Sequence, residues 1–168
     1  MGILIDLDQT LIDSQLAEPY RKSREWPTVY KLIPRLKPYS GMSELLKELN
    51  SLNVPICIVT SSPQTYCQRV VAHNGWHIQA MVCYHDTKKR KPYPDPILLG
   101  LQKLQRSACD VVSIGDAAKD TEAARNAHVC SIGSLWGSLE PDQLIDSKPD
   151  ILCATVTDLR ESLLCRFQ

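Results

Sequence analysis

Two carboxylates two residues apart, Asp6 and Asp8, follow directly on the apolar run Gly2-Ile3-Leu4-Ile5. That run has the character of a short buried parallel strand. Side chains alternate along an extended backbone, so Asp6 and Asp8 share one face while Leu7 points away. Carboxylates so close repel unless a cation or a shared proton lies between them. The pair therefore reads as a metal site, a catalytic pair, or both, against the plainer alternative of a turn that ends a strand. Thr10 completes the pattern Asp6-x-Asp8-x-Thr10. Three more groups with reactive side chains follow in order: Thr60-Ser61, Lys91-Pro92-x-Pro94, and Gly115-Asp116-x-x-x-Asp120. Each alone has an ordinary structural meaning. Thr60 suits a helix cap, Lys91 a solvated basic loop, Asp116 a turn, and Asp120 the first turn of a helix, where the dipole favours an acid.

The elements that must carry these residues alternate. Residues 41–52 have Met42, Leu45, Leu46 and Leu49 at helical spacing, with Ser40 as the expected cap. Residues 54–59 read as a second strand, and a helix from Pro63 to about Gly75 is expected to be capped by Ser62. Residues 80–84 give a third strand, and the loop Lys88-Lys89-Arg90-Lys91 leads to a helix ending near Leu104. Strands over 111–114 and 129–132 flank a helix over 120–127. Residues 151–153 suit an edge strand, with a closing helix over 157–164. Strands alternating with helices predict an α/β fold, a doubly wound, Rossmann-like parallel sheet of about five strands with helices on both faces. The carboxyl ends of such strands form the ligand crevice, and each of the four groups falls just past a strand end or beside a helix start.

A chain of 168 residues suits one domain, 1–168. Nineteen basic and nineteen acidic residues cancel, so no global charge points to nucleic acid or membrane. Seven cysteines include no C-x-x-C pair, and several sit in apolar runs, as small buried hydrophobes of a reducing compartment do. No apolar stretch approaches the ~20 residues of a membrane span, and no signal peptide precedes the first strand. A cytoplasmic protein is expected. Nothing in the sequence fixes its oligomeric state.

Residues 15–39 break the alternation. They hold Pro19, Pro27, Pro34 and Pro38, which keep any helix short. Arg21, Lys22, Arg24, Lys31, Arg35 and Lys37 outnumber Glu18 and Glu25, and Tyr20, Trp26, Tyr30 and Tyr39 are interleaved with them. The stretch reads either as a solvated connection or as a small basic, aromatic cap over the site. As a cap it would select polyanionic or aromatic phosphate substrates, act on KM rather than kcat, and contribute little to core stability.

The four groups, in this order and at this spacing, resemble those of the haloacid dehalogenase superfamily of phosphohydrolases across nearly the whole chain. The resemblance implies a Mg²⁺-dependent phosphomonoester hydrolase. Asp6 would be the nucleophile that forms an aspartyl-phosphate. Asp8 would be the general acid and base. Thr60, Ser61 and Lys91 would hold the phosphoryl oxygens. Asp6, Asp116 and a backbone carbonyl at Asp8 would hold the Mg²⁺. Thr10 would support the site, and Asp120 would orient Lys91 or a metal-bound water. Retention of Asp8 separates phosphatases from the dehalogenase branch, in which halide leaves without a proton. Two departures stand out: Gln9 replaces the usual glycine, and His128 stands where Ala-Gly normally reads. A segment of 15–39 is a minimal cap for this superfamily. Substrate identity stays open, with a phosphotransferase, a phosphatase acting on nucleic-acid or protein ends, or a catalytically silent binding module as alternatives.

Overall fold

The computed structural model describes residues 1–166. Strand β1, Gly2–Ile5, is buried along its length and lies in the interior of a six-stranded sheet. It leads to a hairpin of two very short strands, β2 (Ile12–Asp13) and β3 (Lys37–Pro38), with Ile12 opposite Pro38. Between them lie α1 (Glu18–Lys22) and α2 (Trp26–Leu32). Then follow α3 (Met42–Ser51), β4 (Ile56–Val59), α4 (Gln64–Asn74) and β5 (Ala80–Val82). The second half runs α5 (Asp95–Leu104), β6 (Val111–Gly115), α6 (Ala118–Asn126) and β7 (Cys130–Ser134). Helix α7 (Pro141–Asp146), strand β8 (Ile151–Cys153) and helix α8 (Val156–Leu164) complete it.

The sheet order is β5-β4-β1-β6-β7-β8, and every pair is parallel. The chain thus winds outward from β1 on one side and then restarts at β6 on the other. The carboxyl ends of β1 and β6 meet where the winding reverses, the switch point at which open α/β sheets bind ligands. Residue alternation on β1 divides the core. Ile3 and Ile5 pack with Leu46 of α3, Tyr66 of α4 and Leu159 of α8. Leu4 faces the other layer, with Ile97 and Leu101 of α5 and Ala124 of α6. Helices cover both faces, as parallel sheets require. Among the described residues no helix is long and apolar enough to cross a membrane.

Residues 151–153 pair with β7 as the expected edge strand and bring the sheet to six strands. The structure differs from the sequence reading in three places. Helix α7 and the β2–β3 hairpin are additional, too short to carry a readable period. Neither expected serine cap forms. Chain entry to α3 uses Gly41 at φ 82°, a left-handed turn that glycine takes freely, and the Ser62 hydroxyl is committed elsewhere. Finally, residues 15–39 are not merely a solvated flap. Ala17, Val29, Ile33 and Leu36 are buried in the main core, and Trp26 packs on Tyr66. Val29, Ile33 and Leu36, at steps of four and three residues, form an apolar edge, and the turn over Ile33–Arg35 packs against α4.

Candidate active site

Asp6 leaves β1 with its amide donating to the Ile114 carbonyl at 2.9 Å, so β6 holds the nucleophile candidate in line with Gly115 and Asp116. Asp6, Asp116 and Asp120 each place a carboxylate oxygen within 4.8 Å of the others. Lys91 enters from the loop before α5 and donates to Asp6 Oδ1 at 2.9 Å and to Asp120 Oδ1 at 2.6 Å. Its side chain is only 4% exposed. Asp120 also accepts from the Ala117 amide, which closes the first turn of α6. Gly115 is required for that approach, because a Cβ there would run into the Asp120 carboxyl group. Thr10 lies outside the cleft, fully buried, and donates to Asp116 Oδ1 at 2.9 Å.

One lysine cannot neutralise three clustered acids. Burial, with Asp120 and Asp8 adding to it against the opposing Lys91, pushes Asp6 from 3.8 up to about 6. Burial first, then Asp6 and Asp120, pushes Asp116 up to about 8. Burial works against the Lys91 charge, but Asp120 and Asp6 more than offset it, so the ammonium is held above its ordinary value. The donor set is all oxygen, dense and short of positive charge, which fits a hard divalent cation such as Mg²⁺.

Asp8 behaves differently from the other acids. Its carboxylate is turned out of that cluster and accepts three hydrogen bonds: from Tyr66 Oη at 2.8 Å, Ser62 Oγ at 2.7 Å and Arg21 Nη2 at 2.7 Å. Arg21 also donates to Glu18 through Nη1, and its guanidinium lies 5.6 Å from the Tyr66 ring centre. Asp6, Asp8, Thr60, Ser61, Asp116 and Arg21 line one cleft of about 390 Å³. Thr60 Oγ1 accepts from the Ser62 amide, which sets the turn between β4 and α4.

Arg21 therefore touches the candidate acid itself. Tyr66, Ser62, Trp136 and Ser138 have no motif that marks them in the sequence. Trp136 Nε1 donates to the Thr10 carbonyl at 3.0 Å, and Ser138 Oγ donates to the Asp116 carbonyl at 2.6 Å. Together they tie the loop after β7 to both acidic turns. Gln9 and His128, the two residues that replace glycine in the resemblance, have φ of 62° and 57°. Tyr39 Oη steadies the Gln9 side chain at 2.8 Å, so the left-handed turn persists without glycine.

Comparisons with known proteins bear on the family and the fold. Residues 18–134 match the family model described as haloacid dehalogenase-like hydrolase, a match that begins after Asp6, Asp8 and Thr10. A phosphoglycolate phosphatase of Xanthomonas campestris pv. campestris is 29% identical over 124 residues, covering 67% of this chain and 56% of that protein. An N-acetylmuramic acid 6-phosphate phosphatase of Pseudomonas putida is 26% identical over 108 residues, covering 63% of this chain and 48% of that protein. The chain thus spans about half the length of the curated relatives it matches. Among solved structures, a hydrolase from Pseudomonas syringae superposes with a TM-score of 0.80 at 21% identity, over 97% of each chain. A haloacid dehalogenase-like family protein from Streptococcus pneumoniae does so with a TM-score of 0.80 at 20% identity, over 99% of this chain and 98% of the other.

Proposed function

The chain belongs to the haloacid dehalogenase-like hydrolases, and on that premise we propose that it is a Mg²⁺-dependent phosphomonoesterase of phosphorylated small molecules. One observation carries the reading: Lys91 is buried between Asp6 and Asp120, with Asp116 beside them, at the switch point of the sheet. Asp6, Asp116 and the Asp8 backbone carbonyl would hold Mg²⁺, with Asp120 close by. The bound cation supplies charge that offsets the repulsion between an anionic phosphate and Asp6.

The chain's own residues do the rest. An Asp6 carboxylate oxygen attacks phosphorus, the P–O ester bond breaks, and an aspartyl-phosphate forms. Asp8 gives a proton to the departing alkoxide, then takes one from the water that attacks the aspartyl-phosphate. Inorganic phosphate leaves and Asp6 is restored. Lys91 and the Thr60 hydroxyl neutralise and hold the phosphoryl oxygens, and Ser61 borders the same cleft. Thr10 and Asp120 fix Asp116 and Lys91. Residues 15–39 serve as a minimal cap within a single domain of 1–168. The names of the relatives, which specify phosphoglycolate and N-acetylmuramic acid 6-phosphate, support a small phosphorylated substrate. The seven unpaired cysteines support a reducing, cytoplasmic setting.

Turnover of p-nitrophenyl phosphate tests the reading. Activity is expected with Mg²⁺, to be lost on chelation and restored by adding the ion back. Hydrolysis indifferent to chelation, or none with Mg²⁺, contradicts it.

A further inference from the structure

A second cleft, of about 620 Å³, opens beside the reaction cleft and is the larger of the two. Glu18, Arg21, Lys22 and Ser61 line both, so the two are continuous. Arg21, Lys22, Arg24 and Arg90 border the second cleft against the single acid Glu18. Trp26 and Tyr84 supply flat apolar walls. This concentration of cations is local, since the chain as a whole carries no net charge.

Two of the arginines are already held in place. Arg21 is fixed by Glu18 and Asp8, and among the described residues its Nε is the one buried side-chain nitrogen or oxygen without a hydrogen-bond partner. Arg90 lies 3.7 Å from the Tyr84 ring centre and donates to the Tyr84 carbonyl, so little side-chain freedom is left to lose on binding. The Arg90 arrangement involves none of the residues proposed for the chemistry.

We propose that this cleft is the leaving-group subsite and takes a second phosphate group carried by the substrate. The inference rests on the phosphatase reading and deepens it by naming the substrate class, a bisphosphate. Guanidinium groups match phosphate oxygens in charge and in paired donor geometry, and the two excess cations left once Glu18 and Asp8 are both counted suit a dianion better than a single carboxylate. The scissile phosphate sits over Asp6 while the second one lies beyond Arg21, in the basic cleft. A bisphosphate can come from a sugar or from a nucleoside, and Trp26 and Tyr84 leave room for either.

Calorimetric titration of the Asp6→Asn variant without Mg²⁺ reads binding apart from turnover. Adenosine 3′,5′-bisphosphate is compared with adenosine 5′-monophosphate, fructose 1,6-bisphosphate with fructose 6-phosphate, and 2-phosphoglycolate serves as the carboxylate arm. In at least one pair the bisphosphate is expected to bind about tenfold or more tightly, as one additional charged contact supplies. The responding pair tells nucleoside from sugar. Adding Arg24→Gln and Arg90→Gln should close that gap, with circular dichroism as the check on folding. Arg24→Gln alone, at an exposed position, should narrow it if the double variant misfolds. Equal affinities within both pairs, a gap that survives these substitutions, or 2-phosphoglycolate binding as tightly as the bisphosphate overturns the subsite. Failure of wild-type protein to hydrolyse p-nitrophenyl phosphate overturns the phosphatase reading instead, and the titration still decides the cleft.

Discussion

Four buried charges set the character of the site. Burial first, and then the neighbouring aspartates against a single Lys91, leave Asp6 raised to about 6 and Asp116 to about 8. In the unfolded chain both groups return to the ordinary 3.8. A carboxyl group whose folded pKa is raised favours the folded state at low pH and loses that contribution as pH climbs through the folded value. The metal-free protein should therefore lose stability between pH 4 and 8, on this account alone. Mg²⁺ should restore it most at the upper end. Denaturant midpoints with and without Mg²⁺ at both ends of the range read this directly, and a Mg²⁺ effect equal at both ends contradicts the sign. Asp8, held by Tyr66, Ser62 and Arg21, makes a separate prediction. Asp8→Asn should slow phenyl phosphate far more than p-nitrophenyl phosphate, because nitrophenolate leaves without help. Equal losses on the two esters would count against the acid role. Arg21→Gln should lower kcat as well as raise KM, since it unpairs Asp8; a change in KM alone would place Arg21 outside the chemistry.

At the level of elements, the site is a set of strand ends locked by the turns that follow them. Gly115 closes β6 with no room for a Cβ beside Asp120, so Gly115→Ala should displace Asp120 and loosen Lys91. Activity should fall by about tenfold or more, on the scale of a misplaced positioning group, while the thermal midpoint moves little. Unimpaired activity would show that the Lys91–Asp120 contact is dispensable. Helices α1 and α2 carry two functions that the sequence does not separate. Helix α1 brings Arg21 to Asp8, while α2 and the turn after it bury Val29 and Ile33. Ile33→Ala should cost about 2–5 kcal/mol of stability, as truncation of a buried isoleucine does. A loss near zero, by urea denaturation, would return the segment to the role of a detachable flap.

Across the whole molecule, what could be read in advance was local in sequence. The apolar run before Asp6 and the amphipathic spacing of Leu45, Leu46 and Leu49 each lie within a few residues, so strand and helix follow from periodicity. Asp6, Thr60, Lys91 and Asp116 were legible because each sits just past a strand or beside a helix start, and a parallel sheet gathers such ends at one edge. Arg21, Tyr66, Trp136 and Ser138 were not, because their partners are set by tertiary packing. Trp136 reaches Thr10 across 126 residues, and nothing near either residue announces the contact. The β2–β3 hairpin and α7 were too short to show a period. The central claim, that Asp6 is the nucleophile, is tested most directly by trapping its phosphorylated form. Borohydride added during turnover with Mg²⁺ reduces an acyl phosphate to the alcohol, and peptide mass spectrometry locates the change. Conversion of Asp6 to homoserine, absent in Asp6→Asn and absent without substrate, is the expected result. Conversion at another carboxylate, or wild-type turnover by Asp6→Asn, would contradict the account.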